Sequence, residues 1–221
     1  ILILILSACN DAAESPYPKL DFLQVPIVEG LGRASAVSFV IADNAYIGLG
    51  RKVSGRPASN DIWEFNSVTK TWIKKNNFPG KARVNAIAEV VNAKAYVGLG
   101  YDLDYGVYRE ETQLTDFWCY DATTDSWTAK DSFPSNFTNA CVSFVVGTDI
   151  YVGFGFNGWS FRKEMWKYDT LNDSWIELKN SIIDSRTGAV ACSNGKEIFI
   201  GTGYNTRNLN EISCYQRSPL C

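Results

Sequence analysis

From residue 33 onward, short apolar or aromatic runs alternate with polar and glycine-rich turns. Asp61-Ile62-Trp63-Glu64-Phe65 sets an acidic residue, a tryptophan and a second aromatic two residues apart, the spacing that puts all three on one face of a strand. No window sustains an i, i+3, i+4 apolar stripe, so the pattern predicts strands and turns throughout. An all-β chain follows.

The strands come in a repeating unit. Ala36, Ala86, Cys141 and Ala189 open four parallel stretches. Ten residues after each stands an aromatic: Tyr46, Tyr96, Tyr151 and Phe199. Fourteen residues after each stands the second glycine of a Gly-x-Gly pair: Gly50, Gly100, Gly155 and Gly203. A first tryptophan follows at Trp63, Trp118 and Trp166, and a second nine residues later at Trp72, Trp127 and Trp175. The fourth copy has Ser213 in place of its first tryptophan. Four strands in a unit of about 50 residues is the pattern of a β-propeller blade.

The glycine pair, the aromatic before it and the two spaced tryptophans resemble the Kelch repeat, as found in bacterial lipoproteins. The resemblance covers about residues 20–216 and departs from the family in having Gly-x-Gly where adjacent glycines are usual. It implies a Kelch-type β-propeller with blades at about 33–79, 83–134, 138–182 and 186–216. Three blades are complete and the fourth lacks its last strand, which residues 19–25 could supply by closing the ring. Kelch-like rings more often have six or seven blades, so the ring is expected to be incomplete. The tryptophans are expected to fill the wedges between blades, and Gly48 and Gly50 to avoid a clash with the neighbouring blade.

Residues 1–8 are expected to be the remnant of a signal peptide. Six alternating Ile and Leu residues precede Ser7-Ala8-Cys9, which resembles a bacterial lipobox. That resemblance implies lipidation at Cys9, a polar tether over residues 9–18 and attachment to a bacterial envelope membrane.

Composition narrows the chemistry. Among 221 residues there is no histidine, which excludes Ser-His-Asp and Cys-His pairs and imidazole-ligated metals. The net charge of −3 lacks the basic footprint of a nucleic-acid binder, so no nucleic-acid partner is expected. No metal or other cofactor is expected either. The cysteines other than Cys9 show no C-x-x-C spacing and read as small core residues. Gly153-Phe154-Gly155-Phe156-Asn157-Gly158 matches a dinucleotide fingerprint in letters, but a loop rather than a helix is expected after it.

Repeat lengths vary in one place. The distance from second glycine to first tryptophan is 13, 18 and 11 residues, while the other spacings are constant. Variable loops on a rigid scaffold are where binding concentrates. These two-to-three loops carry Tyr105, Tyr108, Trp159, Arg162, Tyr204 and Arg207, which could stack on a sugar and hydrogen-bond its hydroxyls. Their alternative role is to cover neighbouring loops. The reading favours a lipid-anchored, non-enzymatic protein that binds a glycan or a protein. Some Kelch-like propellers are sugar epimerases, so the resemblance also allows an enzyme using Asp102, Asp104, Glu110 or Glu111. A purely structural envelope component is the third alternative.

Overall fold

Seventeen strands, all antiparallel in their pairings, are found in a computed structural model that describes residues 32–52, 58–103, 112–136, 138–178, 183–193, 197–206 and 212–216. In chain order they are β1 (Arg33–Ala34), β2 (Val37–Ile41), β3 (Asn44–Gly48), β4 (Arg51–Lys52), β5 (Ile62–Asn66), β6 (Thr71–Lys75), β7 (Ile87–Val91), β8 (Lys94–Gly98) and β9 (Phe117–Asp121). They continue with β10 (Ser126–Lys130), β11 (Val142–Val146), β12 (Asp149–Gly153), β13 (Met165–Asp169), β14 (Ser174–Leu178), β15 (Val190–Ser193), β16 (Glu197–Gly201) and β17 (Ile212–Gln216). Residues 19–25 and Cys9 lie outside the described residues.

The strands form three four-stranded sheets, β2-β3-β5-β6, β7-β8-β9-β10 and β11-β12-β13-β14, and a three-stranded sheet β15-β16-β17. Each is a meander in chain order, arranged like a propeller blade. The first strands lie innermost: β2 packs against β7, β7 against β11, and β11 against β15. No packing of β15 on β2 closes the arc among the described residues. A two-residue pairing of β1 with β4 joins the connector before the first blade to its two-to-three loop, and single bridges Val84–Tyr101, Asn139–Phe156 and Thr187–Tyr204 repeat it in the others.

Three apolar clusters occupy the three junctions. Val37, Phe39, Ile41, Ile62 and Phe78 of blade 1 meet Ala95, Val97 and Tyr120 of blade 2. Ile87, Phe117 and Phe133 meet Ile150, Val152 and Tyr168 of blade 3, and Val142, Phe144 and Phe154 meet Ile198 and Ile200 of blade 4. This is the repetition of a wedge that no blade could bury alone. The tryptophans meet the expectation in part. Trp118, Trp127, Trp166 and Trp175 pack against these clusters but are only half-buried, while Phe78, Phe117, Phe133, Tyr120 and Tyr168 fill the centre of the wedges. An indole carries a polar N–H that needs a partner: Trp127 and Trp175 donate to the carbonyls of Asn76 and Asp131, and Trp63 and Trp118 to the carboxylates of Asp61 and Asp116.

The glycines also differ from expectation in their reason. A Cβ on Gly50 (φ +80°) would stand 2.7 Å from the Ala34 carbonyl, and one on Gly48 would meet Ile62 and the Asp61 carbonyl. Both clashes are inside the blade. The neighbouring blade instead receives the backbone: Gly50 N donates to Arg83 O at 2.8 Å, Gly100 N to Thr138 O at 2.8 Å and Gly155 N to Arg186 O at 2.7 Å. Between the glycines, Leu49, Leu99 and Phe154 take φ near +55° and are fully buried. A left-handed turn at each strand end thus drives the intervening side chain inward.

Candidate functional site

Those glycine hydrogen bonds join each two-to-three loop to the connector that enters the next blade, so both lie at one end of the arc. Two clusters at this end carry ionisable groups. The first is repetitive. Arg33 donates to Leu49 O at 3.0 Å and to Asp61 Oδ1 at 2.6 Å. Arg83 donates to Leu99 O at 3.0 Å and to Asp116 Oδ2 at 2.8 Å. Arg186 donates to Thr202 O at 2.9 Å and Asp184 O at 3.0 Å. Burial alone would raise the Asp61 carboxyl, but hydrogen bonds from Arg33, Ser59 and Trp63 hold it well below the usual range. These arginines tie loop to connector, and their charge is committed to the fold.

The second cluster breaks the repeat. Blade 3 has Thr138 where the other blades have the arginine. Here Arg162, from the two-to-three loop itself, donates to Glu164 Oε1. Lys163 N donates to Glu164 Oε2 at 3.0 Å. Burial would raise the Glu164 carboxyl, yet the backbone N–H groups of Glu164 and Lys163 and the Arg162 guanidinium hold it below the usual range. Beside this pair lies an open cavity of about 450 Å³. Phe161, Arg162, Lys163 and Glu164 form one wall, and Ile183, Asp184 and Ser185 of the connector to blade 4 form the other.

Of the loop residues singled out from sequence, the structure brings two to this cavity. Arg162 lines it, and Tyr204 reaches it through Phe161, ring against ring at 5.6 Å. Phe156 packs on the other side of Phe161 at 5.1 Å. Trp159 stands outside the lining on the same loop and is 77% exposed. It caps a turn held by the buried Asn157, whose Oδ1 accepts from Trp159 N at 3.0 Å and Ser160 N at 2.8 Å. Tyr105, Tyr108 and Arg207 lie outside the described residues, as do Asp104, Glu110 and Glu111.

The connector wall was missed because its length is constant, and length variation was the signal used. A different signal was present. Six residues after the second tryptophan, the connectors into blades 2 and 3 carry Phe78-Pro79 and Phe133-Pro134, whereas the connector into blade 4 carries Ser181-Ile182.

Other candidate chemistry resolves differently. Asp102 is buried, with Lys81 Nζ 3.6 Å from its carboxylate. No cluster of three metal-ligating groups occurs among the described residues. A loop and a bridge, with no helix, follow Gly153 and Gly155, so the fingerprint lacks the helix N-terminus that would receive a pyrophosphate. Cys119 is buried and Cys141 half-buried, as core residues should be, but Cys192 is exposed on β15, and none of the three forms a disulfide. No helix among the described residues is long and apolar enough to cross a membrane.

Comparison with known proteins gives a likeness in shape. The solved structure of YjhT superposes with a TM-score of 0.68 at 19% sequence identity, over 81% of this chain and 61% of YjhT. The likeness is one of fold alone. This chain thus spans less than two thirds of the length of YjhT. No protein family and no curated protein matches the sequence.

Proposed function

We propose that the chain is a Kelch-type β-propeller segment of a bacterial envelope lipoprotein, and that its two-to-three-loop end binds a glycan. The observation that carries this reading is the Phe161–Tyr204 contact, which joins loops of two blades beside the cavity of about 450 Å³. Small-molecule sites are typically clefts of about 300–1,000 Å³ with a few convergent polar groups. The exposed Trp159 and half-exposed Tyr204 offer flat apolar faces of the kind a sugar ring stacks on. The lipoprotein part of the reading rests on Leu6-Ser7-Ala8-Cys9.

Trp159→Ala tests the binding end. The side chain is 77% exposed, so its loss leaves the core intact. The variant is expected to keep its melting temperature and lose binding on a glycan array. Wild-type array binding by the variant would overturn the assignment of this end.

A further inference from the structure

The cavity between blades 3 and 4 lies where the repeat has been altered in several places at once. The aromatic plugs Phe78 and Phe133, 0% and 2% exposed, seal the junctions before it against Trp118, Trp127, Trp166 and Trp175. In the sequence of the third connector the Phe-Pro pair has become Ser181-Ile182, and the first tryptophan of the receiving blade has become Ser213. In blade 3 the repeated arginine has become Thr138, which lies outside the lining, and Arg162 supplies the cation from the loop. The Asp that accepts from Trp63 and Trp118 has become Glu164, and Trp166 Nε1 has no hydrogen-bond partner among the described residues.

The lining defines what fits. Arg162 and Lys163 balance Glu164 and Asp184, so the walls carry no formal net charge. A charged ligand would bring an unbalanced charge against a lining whose formal charges cancel and whose Arg162–Glu164 pair is already two-thirds buried. A neutral polyhydroxyl ligand brings none. Its hydroxyls can accept from the guanidinium and donate to the carboxylates without net charge transfer into the cleft. Phe161 supplies an apolar wall for a ring face.

We infer that the cleft between blades 3 and 4 is a subsite for a neutral saccharide unit, held by the Arg162–Glu164 pair and by Ser185. The inference rests on the glycan-binding reading above and narrows it to a place and a charge class.

The test is calorimetric titration of the full chain with uncharged disaccharides (cellobiose, maltose, lactose and N,N′-diacetylchitobiose) and with charged ones (digalacturonate and chitobiose). At least one uncharged disaccharide should bind, and neither charged one comparably. Ser185→Trp, which fills the cleft, should weaken that binding by about tenfold or more, equal to about 1.4 kcal/mol. Ile183→Phe is the milder filling, and unchanged melting temperatures certify both variants. Glu164→Gln removes one negative charge and should shift the preference towards digalacturonate. Uncharged binding that survives both fillings but is lost in Trp159→Ala overturns the cleft and leaves the binding end standing. Preference for a charged disaccharide in the wild type overturns the charge class. Binding lost in neither the filled variants nor Trp159→Ala, or no binding by any of the six, overturns both readings.

Discussion

The indole Nε1 of Trp118 donates to Asp116 Oδ2 at 2.8 Å, the oxygen that Arg83 also reaches at 2.8 Å. Trp63 and Asp61 repeat this at 3.1 Å, two strands into the preceding blade. One carboxylate therefore ties a connector arginine, a loop and the third strand together. In blade 3 the glutamate turns to Arg162 and the equivalent indole is left without that acceptor.

The two arrangements should differ in stability. Arg83 is fully buried, whereas the Arg162 side chain is 33% exposed. Asp116→Ala leaves a buried guanidinium without its carboxylate and should cost about 3–5 kcal/mol. Glu164→Ala leaves a cation that water can reach, and should cost about 1 kcal/mol or less. Chemical denaturation of the two variants, at equal m-value, checks the order.

A second carboxylate fastens blades at the rim. Asp173 Oδ1 accepts from Tyr168 Oη at 2.6 Å and from Asp131 N of the preceding blade at 2.8 Å. Burial would raise its carboxyl, but the Asp131 N–H, the Tyr168 hydroxyl and Lys130 together lower it. A lowered folded-state pKa contributes stability present above the unfolded value and lost as pH falls through the folded one. Asp173→Asn should therefore flatten the acid limb of a melting-temperature profile below about pH 4. An unchanged acid limb would contradict this role.

Glu89 has the opposite sign. It stands on β7 opposite Tyr96, where blades 1 and 3 place Phe39 and Phe144, and accepts from Ser143 Oγ at 2.6 Å. Burial raises its carboxyl, outweighing that hydrogen bond. Its stability contribution is full below the unfolded pKa and is lost as pH rises through the folded one. Glu89→Gln should match the wild type near pH 4 and exceed it in melting temperature at pH 7. A variant that is less stable at pH 7 would sink this assignment.

Wedge aromatics and rim indoles should also separate. Phe133 is 2% exposed, and its alanine variant should cost about 3–5 kcal/mol. Trp175 is half-buried and donates to Asp131 O at 2.8 Å, so Trp175→Ala should cost less despite the larger ring. Thermal melts of both variants decide the order.

The strand count, the blade period and the loops of variable length were legible because each leaves a spacing in the chain. The fully buried rings of the wedges, Phe78, Phe117, Phe133, Tyr120 and Tyr168, were not separated from the half-buried tryptophans because constant spacing marks both. Spacing does not say which ring needs an acceptor. The Leu49, Leu99 and Phe154 conformation was hidden, since leucine and phenylalanine rarely announce a positive φ. The Asp125 bonds to Asn76 join residues 49 apart and follow no local motif. The cavity could be suspected only from what the third connector lacks, the Phe-Pro pair.

Each of the first two junctions is pinned at two distances from the hub, by the glycine N–H near the connector and by Asp125 or Asp173 at the rim. A blade pinned twice cannot swivel on its neighbour without breaking both pins. The strands that carry the pins therefore keep their length. The loop after the glycine leaves and returns at the glycine itself, with Ser59 N donating to Gly50 O, Leu114 N to Gly100 O and Arg162 N to Gly155 O, so it can lengthen without moving either pin. The repeats have grown and shrunk there, at 13, 18 and 11 residues, and nowhere else. The pins thus decide where this architecture can absorb insertions, and so where evolution can give it new specificity.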